Sequence, residues 1–340
     1  MNNDQDKKST EKVVCKKPKY NIIKNNIKAS EISPGNSING LPLGAYVTNV
    51  NEFWRKGYDG TGMIIGIIDD GVDSSHPALS TCPDKSKKLL GEFTFVTGGR
   101  VPDTTRQHGT AVAGLISGWS AKGYRGMAPN SKIYSFRVFD TDGEATVDDI
   151  VDAMHKAIDL GCNIINMSLG FSKSIQRLSD GIKFAYNRNI LCICSAGNDG
   201  PNTVDYPAAY PESISVGSVK YDYKTGKIVM SSFSSTNSQV DCCAVGEDVL
   251  ACNSETNGYY IVSGTSFSAP IVTGFMALLY QYIKNKQINV KTTLTSDVMT
   301  NLLYANTLDL FSLGRDNDSG VGFVFRKGLQ GEPIIVKTFN

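Results

Sequence analysis

This sequence is short of several things, and each shortage closes off a class of function. Its 340 residues hold no C-x-x-C pair and only three histidines, so a zinc site has no ligand spacing to stand on. No apolar run approaches the roughly 20 residues that a membrane-spanning helix needs. The start, from Met1 to Lys24, is polar and Lys-rich and lacks the apolar stretch of a secretory signal. Excess charge of one sign is missing too. With 34 Lys and Arg against 33 Asp and Glu, the net charge is +1, which gives no global field to gather nucleic acid or a membrane surface. Together these absences set the expectation of a soluble, cytoplasmic protein with reduced thiols.

What is present is apolar substance. The hydrophobic fraction of 41 % suffices for one large core or two small ones. Of the eight cysteines, Cys162, Cys192 and Cys194 lie inside apolar, strand-like runs, where a thiol behaves as a small hydrophobe. Residues 1–40 are rich in Lys, Asn and Ser, carry few apolar residues and show no periodicity, and so read as a disordered arm. From Leu41 to about residue 325 the composition is mixed and unbroken by repeats or linkers, as one domain requires. Residues 326–340 read as a C-terminal tail.

Within that domain, short β-branched runs alternate with helical stretches, the pattern of a parallel α/β sheet. Met63–Ile68 is a nearly continuous apolar run ending at Asp69-Asp70-Gly71, as a strand buried on both faces should. Lys132–Val138, Asn163–Met167 and Ile190–Ser195 read likewise. Thr146–Leu160 places Ile150, Val151, Met154, Ala157 and Ile158 on one helical face, with Thr146 as N-cap, Asp148 and Asp149 in the first turn and Gly161 as stop. A second amphipathic helix is expected over Ile175–Arg188. A buried one follows Ser266 through Tyr282, with Pro270 tolerated in its first turn. The predicted fold class is therefore α/β: a three-layer arrangement with a mostly parallel central sheet and helices on both faces. In such sheets function gathers at the carboxyl ends of strands, where Asp69, Ser168 and Asn198 fall.

Three segments carry the chemistry: Ile67-Ile68-Asp69-Asp70-Gly71-Val72-Asp73 with Ser75-His76-Pro77; Gln107-His108-Gly109-Thr110-Ala111-Val112-Ala113-Gly114; and Ser263-Gly264-Thr265-Ser266-Phe267-Ser268-Ala269-Pro270. Between the last two lie Gly126-Met127-Ala128-Pro129, Asn166-Met167-Ser168-Leu169-Gly170 and Ser195-Ala196-Gly197-Asn198. Asp, His and Ser in that order, with six blocks in sequence over residues 41–323, resemble the subtilisin-like serine proteases, in layout most like intracellular subtilisins. The resemblance implies a serine endopeptidase working through an acyl-enzyme at Ser266. His108 is then the general base, Asp69 the residue that orients it, and Asn198 with the Ser266 backbone N–H the oxyanion donors. The histidine is also reached by elimination. His76 matches a structural His-Pro turn and His155 lies in the polar half of a helix, so only His108 remains as a base near neutral pH. Asp69 could otherwise simply close its strand. Alternation puts it on one face with Ile65 and Ile67, and Asp70 on the other.

The resemblance also implies that Ser168, Leu169 and Gly170 pair with an extended substrate backbone, and that Ser195, Ala196 and Gly197 line the cleft. Asp205, in Thr203-Val204-Asp205-Tyr206-Pro207, matches a position near the base of the pocket for the residue before the cut. If it faces that pocket it would favour Lys or Arg there; if it turns outward it would not. No cofactor is required. Calcium is open in this family, but its usual strong site is expected to be lost, because Ala78 stands in place of an Asp ligand and Ser120 in place of an Asn. Ile271 replaces a common, non-catalytic His. Residues 1–40 are too short for a folding-assistant propeptide. Leu41–Gly44 and Phe53–Gly57 resemble the entry to the mature domain of intracellular subtilisins, whose short N-terminal extension can block the cleft until removed. Residues 1–40 are therefore expected to be inhibitory, with an inert tail as the alternative. The expected partners are protein or peptide substrates, not nucleic acid or membrane, and a homodimer is left open. Within the peptidase class, general turnover and the cutting of one dedicated leader peptide both remain. An inactive binding or regulatory relative is disfavoured by the complete triad.

Overall fold

The computed structural model describes residues 13–28, 37–38, 41–286 and 294–327. The described chain begins with strands β1 (Val14–Lys16), β2 (Asn21–Ile27), β3 (Ser37–Ile38) and β4 (Leu41–Pro42), then two short helices, α1 (Leu43–Val47) and α2 (Asn51–Arg55). Next come β5 (Ile64–Asp69), β6 (Leu89–Thr94), α3 (Gln107–Ser117), β7 (Lys132–Arg137), β8 (Glu144–Thr146), α4 (Val147–Asp159), β9 (Ile164–Met167), α5 (Gln176–Tyr186) and β10 (Leu191–Ser195). The chain continues with β11 (Ser213–Asp222), β12 (Lys227–Met230), β13 (Cys242–Val245), β14 (Val249–Asn253), β15 (Gly258–Ser263), α6 (Thr265–Lys286), α7 (Ser296–Ala305), β16 (Thr307–Leu308) and β17 (Phe323–Val324).

Ten strands form the central sheet in the order β16-β17-β13-β11-β10-β9-β5-β7-β6, with β12 added at β11. All pairings from β17 through β6 are parallel; only β16 and β12 run antiparallel. The side-chain period of two sorts these strands into two cores. Ile65, Ile67, Ile164, Leu191 and Ile193 pack toward α3 and α6. Ile68, Ile165, Met167, Cys192 and Cys194 pack toward α4 and α5. The three-layer α/β fold expected from the sequence is the observed one. All eight cysteines are buried free thiols.

The predicted elements lie within one to a few residues of the observed ones. Helix α4 has Thr146 as its N-cap, as expected, and the structure adds a capping box: the Thr146 hydroxyl accepts from the Asp149 N–H while the Asp149 carboxylate takes the Thr146 N–H. Pro270 differs from expectation. Helix α6 starts at Thr265, so Pro270 is its sixth residue and leaves the Ser266 carbonyl without its helical donor. The Ser168 hydroxyl supplies the missing hydrogen bond, at 2.9 Å. The arm also departs from the reading of disorder over residues 13–28, which form β1 and β2. Strand β1 pairs antiparallel with β8, and β2 pairs antiparallel with β15. Residues 1–12, 29–36 and 39–40 of the arm, and the tail from 328, lie outside the described residues. Arg326, assigned to the tail, is buried with its guanidinium 4.6 Å from the Phe53 ring centre.

Candidate active site

Parallel strands deliver their carboxyl ends to one rim of the sheet, and β5 ends there at Asp69. Across the rim α3 begins at Gln107, which puts His108 in its first turn. The His108 Nδ1–H donates to the Asp69 carboxylate, 2.8 Å from Oδ1 and 2.9 Å from Oδ2, and both side chains are buried. That bond fixes the tautomer, so the lone pair of the neutral ring lies on Nε2, which is buried and unpartnered. Asp70 does not turn to the opposite face as alternation implied. The strand stops at Asp69, Gly71 takes φ +111, and the Asp70 carboxylate comes back onto the start of α3. There it accepts from the backbone N–H of His108 (3.1 Å) and of Gly109 (2.7 Å). Helix α3 has no cap from its own N-cap residue, so Asp70 fills two of its orphan donors and sits at the positive end of its dipole. Gly109 makes this approach feasible: a Cβ there would collide with the Gly71 carbonyl.

Ser266 is the second residue of α6 and is buried, its Oγ unpartnered like His108 Nε2. The next residue, Phe267, packs its ring 5.6 Å from that of His108. A buried chain of polar groups holds this helix start. Thr273 Oγ1 donates to Asn166 Oδ1 (2.8 Å), Asn166 Nδ2 to Ser168 Oγ (3.1 Å), and Ser168 to the Ser266 carbonyl. The Ser168 side chain thus anchors the serine helix. On the other side, Asn198 Oδ1 accepts from the Thr265 N–H (2.9 Å) and hydroxyl (2.8 Å), which turns its Nδ2 toward the cleft. Sequence reasoning found Asn198 and Ser168 but missed how Thr265, Thr273 and Pro270 aim them; the Thr265 and Pro270 positions inside the Ser263–Pro270 block were the available signal.

A cleft of about 400 Å³ opens beside Ser266, lined among others by Leu169, Gly170, Ser195, Gly197, Asn198 and Asp205. Ala196 is buried behind it, its N–H bonded to the Val216 carbonyl of β11. Asp205 faces the cleft and packs against Gly170 and Gly197; a Cβ at Gly197 would strike its carboxylate. Burial, reinforced by the charge of Asp199, pushes the Asp205 carboxyl up to about 6. Among the described residues no cation pairs with it.

The same cleft holds part of the chain's own arm. Lys16, Lys17, Pro18, Lys19, Tyr20 and Asn21 line it from the outside. The backbone is gripped at both ends. Val14, Cys15 and Lys16 oppose Thr146, Ala145 and Glu144 of β8, and Asn21 to Ile27 lie along β15, which leads into Ser266. Between the grips the Lys17 N–H donates to the Gly143 carbonyl (2.6 Å), and Asn198 Nδ2 donates to the Lys19 carbonyl (3.2 Å). The Tyr20 ring lies 5.3 Å from that of His108 and 5.3 Å from that of Phe267, and its hydroxyl donates to Gln107 Oε1. Cys15 is buried with its thiol on the Gly170 carbonyl, and burial pushes that thiol up to about 12, which removes it as a nucleophile.

The other histidines fall where the sequence put them. His76 is buried, accepts from the Ala78 N–H and donates through Nε2 to the Gly258 carbonyl; burial lowers its basicity. His155 is exposed beside Phe184. Among the described residues no three His, Cys, Asp or Glu side chains are grouped to hold a metal ion, and no helix is long and apolar enough to cross a membrane.

The chain is similar to known serine proteases over most of its length. The model of the subtilase family matches residues 60–322. The chain is 34 % identical over 249 residues to the thermophilic serine proteinase of Bacillus sp. (strain AK1), covering 72 % of this chain and 59 % of that protein. It is 32 % identical over 256 residues to the major intracellular serine protease of Bacillus subtilis (strain 168), covering 72 % and 76 %. Against thermitase of Thermoactinomyces vulgaris it is 33 % identical over 223 residues, covering 65 % and 76 %.

Proposed function

The chain belongs to the subtilase family, whose members are serine endopeptidases, and from that premise we propose that Asp69, His108 and Ser266 are its catalytic triad. The observation that carries the reading is the Asp69–His108 pair, which leaves His108 Nε2 without a partner beside the start of α6, where the Ser266 hydroxyl also has none among the described residues. In the first step the Ser266 Oγ–H proton passes to His108 Nε2 as Oγ bonds to the substrate carbonyl carbon. The resulting oxyanion is held by the Asn198 amide and the Ser266 N–H at the start of α6. The C–N bond then breaks, and the leaving amine takes the proton from His108. Water, deprotonated by the same nitrogen, hydrolyses the acyl-enzyme. Asp69 stays ionised throughout and stabilises the imidazolium.

In this reading Asp205 favours a basic residue immediately before the cut, and residues 13–28 block the cleft in the resting chain. The N–H of Asn198 that would serve the oxyanion is spent on the Lys19 carbonyl, which supports the blocking role. The likeness to the major intracellular serine protease of Bacillus subtilis supports a cytoplasmic setting. Asp205 favours a second reading of the biological task, the trimming of a dedicated basic leader peptide rather than general turnover.

The test of the triad is covalent labelling by a fluorophosphonate. The chain is expected to be labelled once per molecule, and Ser266→Ala and His108→Ala not at all. Equal labelling of Ser266→Ala and the parent would sink the assignment.

A further inference from the structure

The arm in the cleft docks as an extended peptide would, and one of its side chains meets a pair of carboxylates that catalysis does not use. Lys17 Nζ forms ion pairs with Asp70 and, at 2.9 Å, with Asp103. Each carboxylate is held in place by the protein. Asp70 is engaged by the N–H groups of His108 and Gly109, and Asp103 Oδ1 by the N–H and hydroxyl of Thr105, both at 2.8 Å. Oδ2 of each reaches the same ammonium, that of Asp103 with no other partner among the described residues and that of Asp70 while it also accepts the His108 N–H. Lys17 is four-fifths buried there, Asp70 wholly and Asp103 nine-tenths. Burial opposes the Lys17 charge, but the two carboxylates outweigh it and raise its basicity above the ordinary lysine range.

We propose that Asp70 and Asp103 form a subsite for a Lys or Arg side chain of the bound peptide, at the place Lys17 holds in the resting chain. The inference rests on the peptidase reading above and deepens it, by assigning the substrate class as peptides with a basic residue upstream of the one whose carbonyl meets Asn198. Lys17 stands two residues before Lys19, the residue making that contact. When the arm leaves, two carboxylates remain near each other without their shared cation and with the charge of Asp69 beside them. Even with Lys17 in place, burial and the charge of Asp69 push the Asp70 carboxyl up. A cationic side chain relieves this repulsion, whereas a neutral one leaves a desolvated acid pair without a counter-charge. The planar fork of Arg can span both oxygens as well as the ammonium does. With Asp205 near the cut, the cleft offers two separate acidic places for one basic peptide.

The experiment uses the full chain and mixtures of two peptides that differ only by Lys against Gln, the lysine being placed in turn at the second and third residues before the cut. In such a competition the cleavage ratio reports kcat/KM alone and is independent of the fraction of enzyme blocked by its arm. At one of these positions lysine is expected to win by about tenfold or more, arginine to behave alike, and Asp103→Asn to bring the ratio near one. Peptides cleaved without preference at either position overturn the proposal. Cleavage of no peptide at all sinks the peptidase reading instead, and a measurement without turnover then decides the seat. In the full chain carrying Ser266→Ala, amide hydrogen exchange of residues 14–20 is expected to quicken about tenfold on Lys17→Gln or Asp103→Asn, no further in the double variant, and little on Lys17→Arg. Unchanged exchange in both single variants, with β5 and β9 still protected, overturns it.

Discussion

Asp103 and Asp205 are both aspartates on loops beside one cleft, yet they stand in opposite electrostatic states. Burial works against the charge of Asp103, but the Lys17 ammonium and the Thr105 N–H and hydroxyl outweigh it and hold the carboxyl below its ordinary range. At Asp205 burial is unopposed and Asp199 adds to it, so the carboxyl rises to about 6. The first place is filled by the chain itself, and the second lacks a cation among the described residues. The lesson is that an acidic residue in a cleft does not advertise its role by type or burial. The filled site marks where a peptide's cation goes, because one is there. The empty one is the place where an incoming cation gains most, because nothing yet offsets its charge.

The largest expected effect comes from emptying the filled site by force. Lys17→Glu sets a third carboxylate between Asp70 and Asp103, so the arm should leave. Peptidase activity of the full chain should then rise on the order of 10²-fold, toward that of a chain beginning at Leu41, as breaking a buried ion pair allows. Initial rates on one fluorogenic peptide measure this; an unchanged rate, with parent and variant as active as the shortened chain, would show the arm to be inert. A smaller effect is expected at the empty site. Asp205→Asn should cut the preference for Arg over Leu before the bond by about tenfold while leaving the Leu peptide's kcat/KM nearly unaltered. A parent enzyme that cleaves after Leu, Phe and Arg equally would mean that Asp205 does not read the substrate.

The smallest effect is in pH. Asp205 carries charge only above its raised value, so the Arg-to-Leu ratio should climb as pH rises from 5 to 7, with a midpoint near 6, and lie flat in Asp205→Asn. Because it is a ratio of two substrates on one enzyme, titration of the catalytic histidine cancels from it. A parent ratio as flat as the variant's would place the acidic selectivity elsewhere.

Much of the site was legible along the chain. The strand ending at Asp69, the helix opening at His108 and the serine at the head of α6 each announce themselves through neighbours a few residues away: an apolar run, a glycine beside the histidine, a Gly-Thr-Ser block. The cap of α4 was equally local, since Thr146 and Asp149 are three residues apart. Other features misled for the same reason. Asp70 was assigned by alternation to the face opposite Asp69, but alternation holds only while a strand continues, and the strand ends one residue earlier. Pro270 was placed in a first turn it does not occupy. Its real compensation comes from Ser168, a partner of Ser266 that is 98 residues away. Residues 13–28 read as disordered because alone they bury too little to fold; they become strands only against β8 and β15.

By itself, the sequence determined the fold class, the two sheet faces and the identity of the triad candidates, since periodicity and motif chemistry depend on residues close in the chain. Only the tertiary structure decided what fills the cleft. The contacts that matter there join Lys17 to Asp103, Cys15 to Gly170 and Lys19 to Asn198, across 86, 155 and 179 residues. No local pattern encodes such pairings. They arise when a flexible segment finds unpaired strand edges and unmatched charges that exist only once the domain around them has closed.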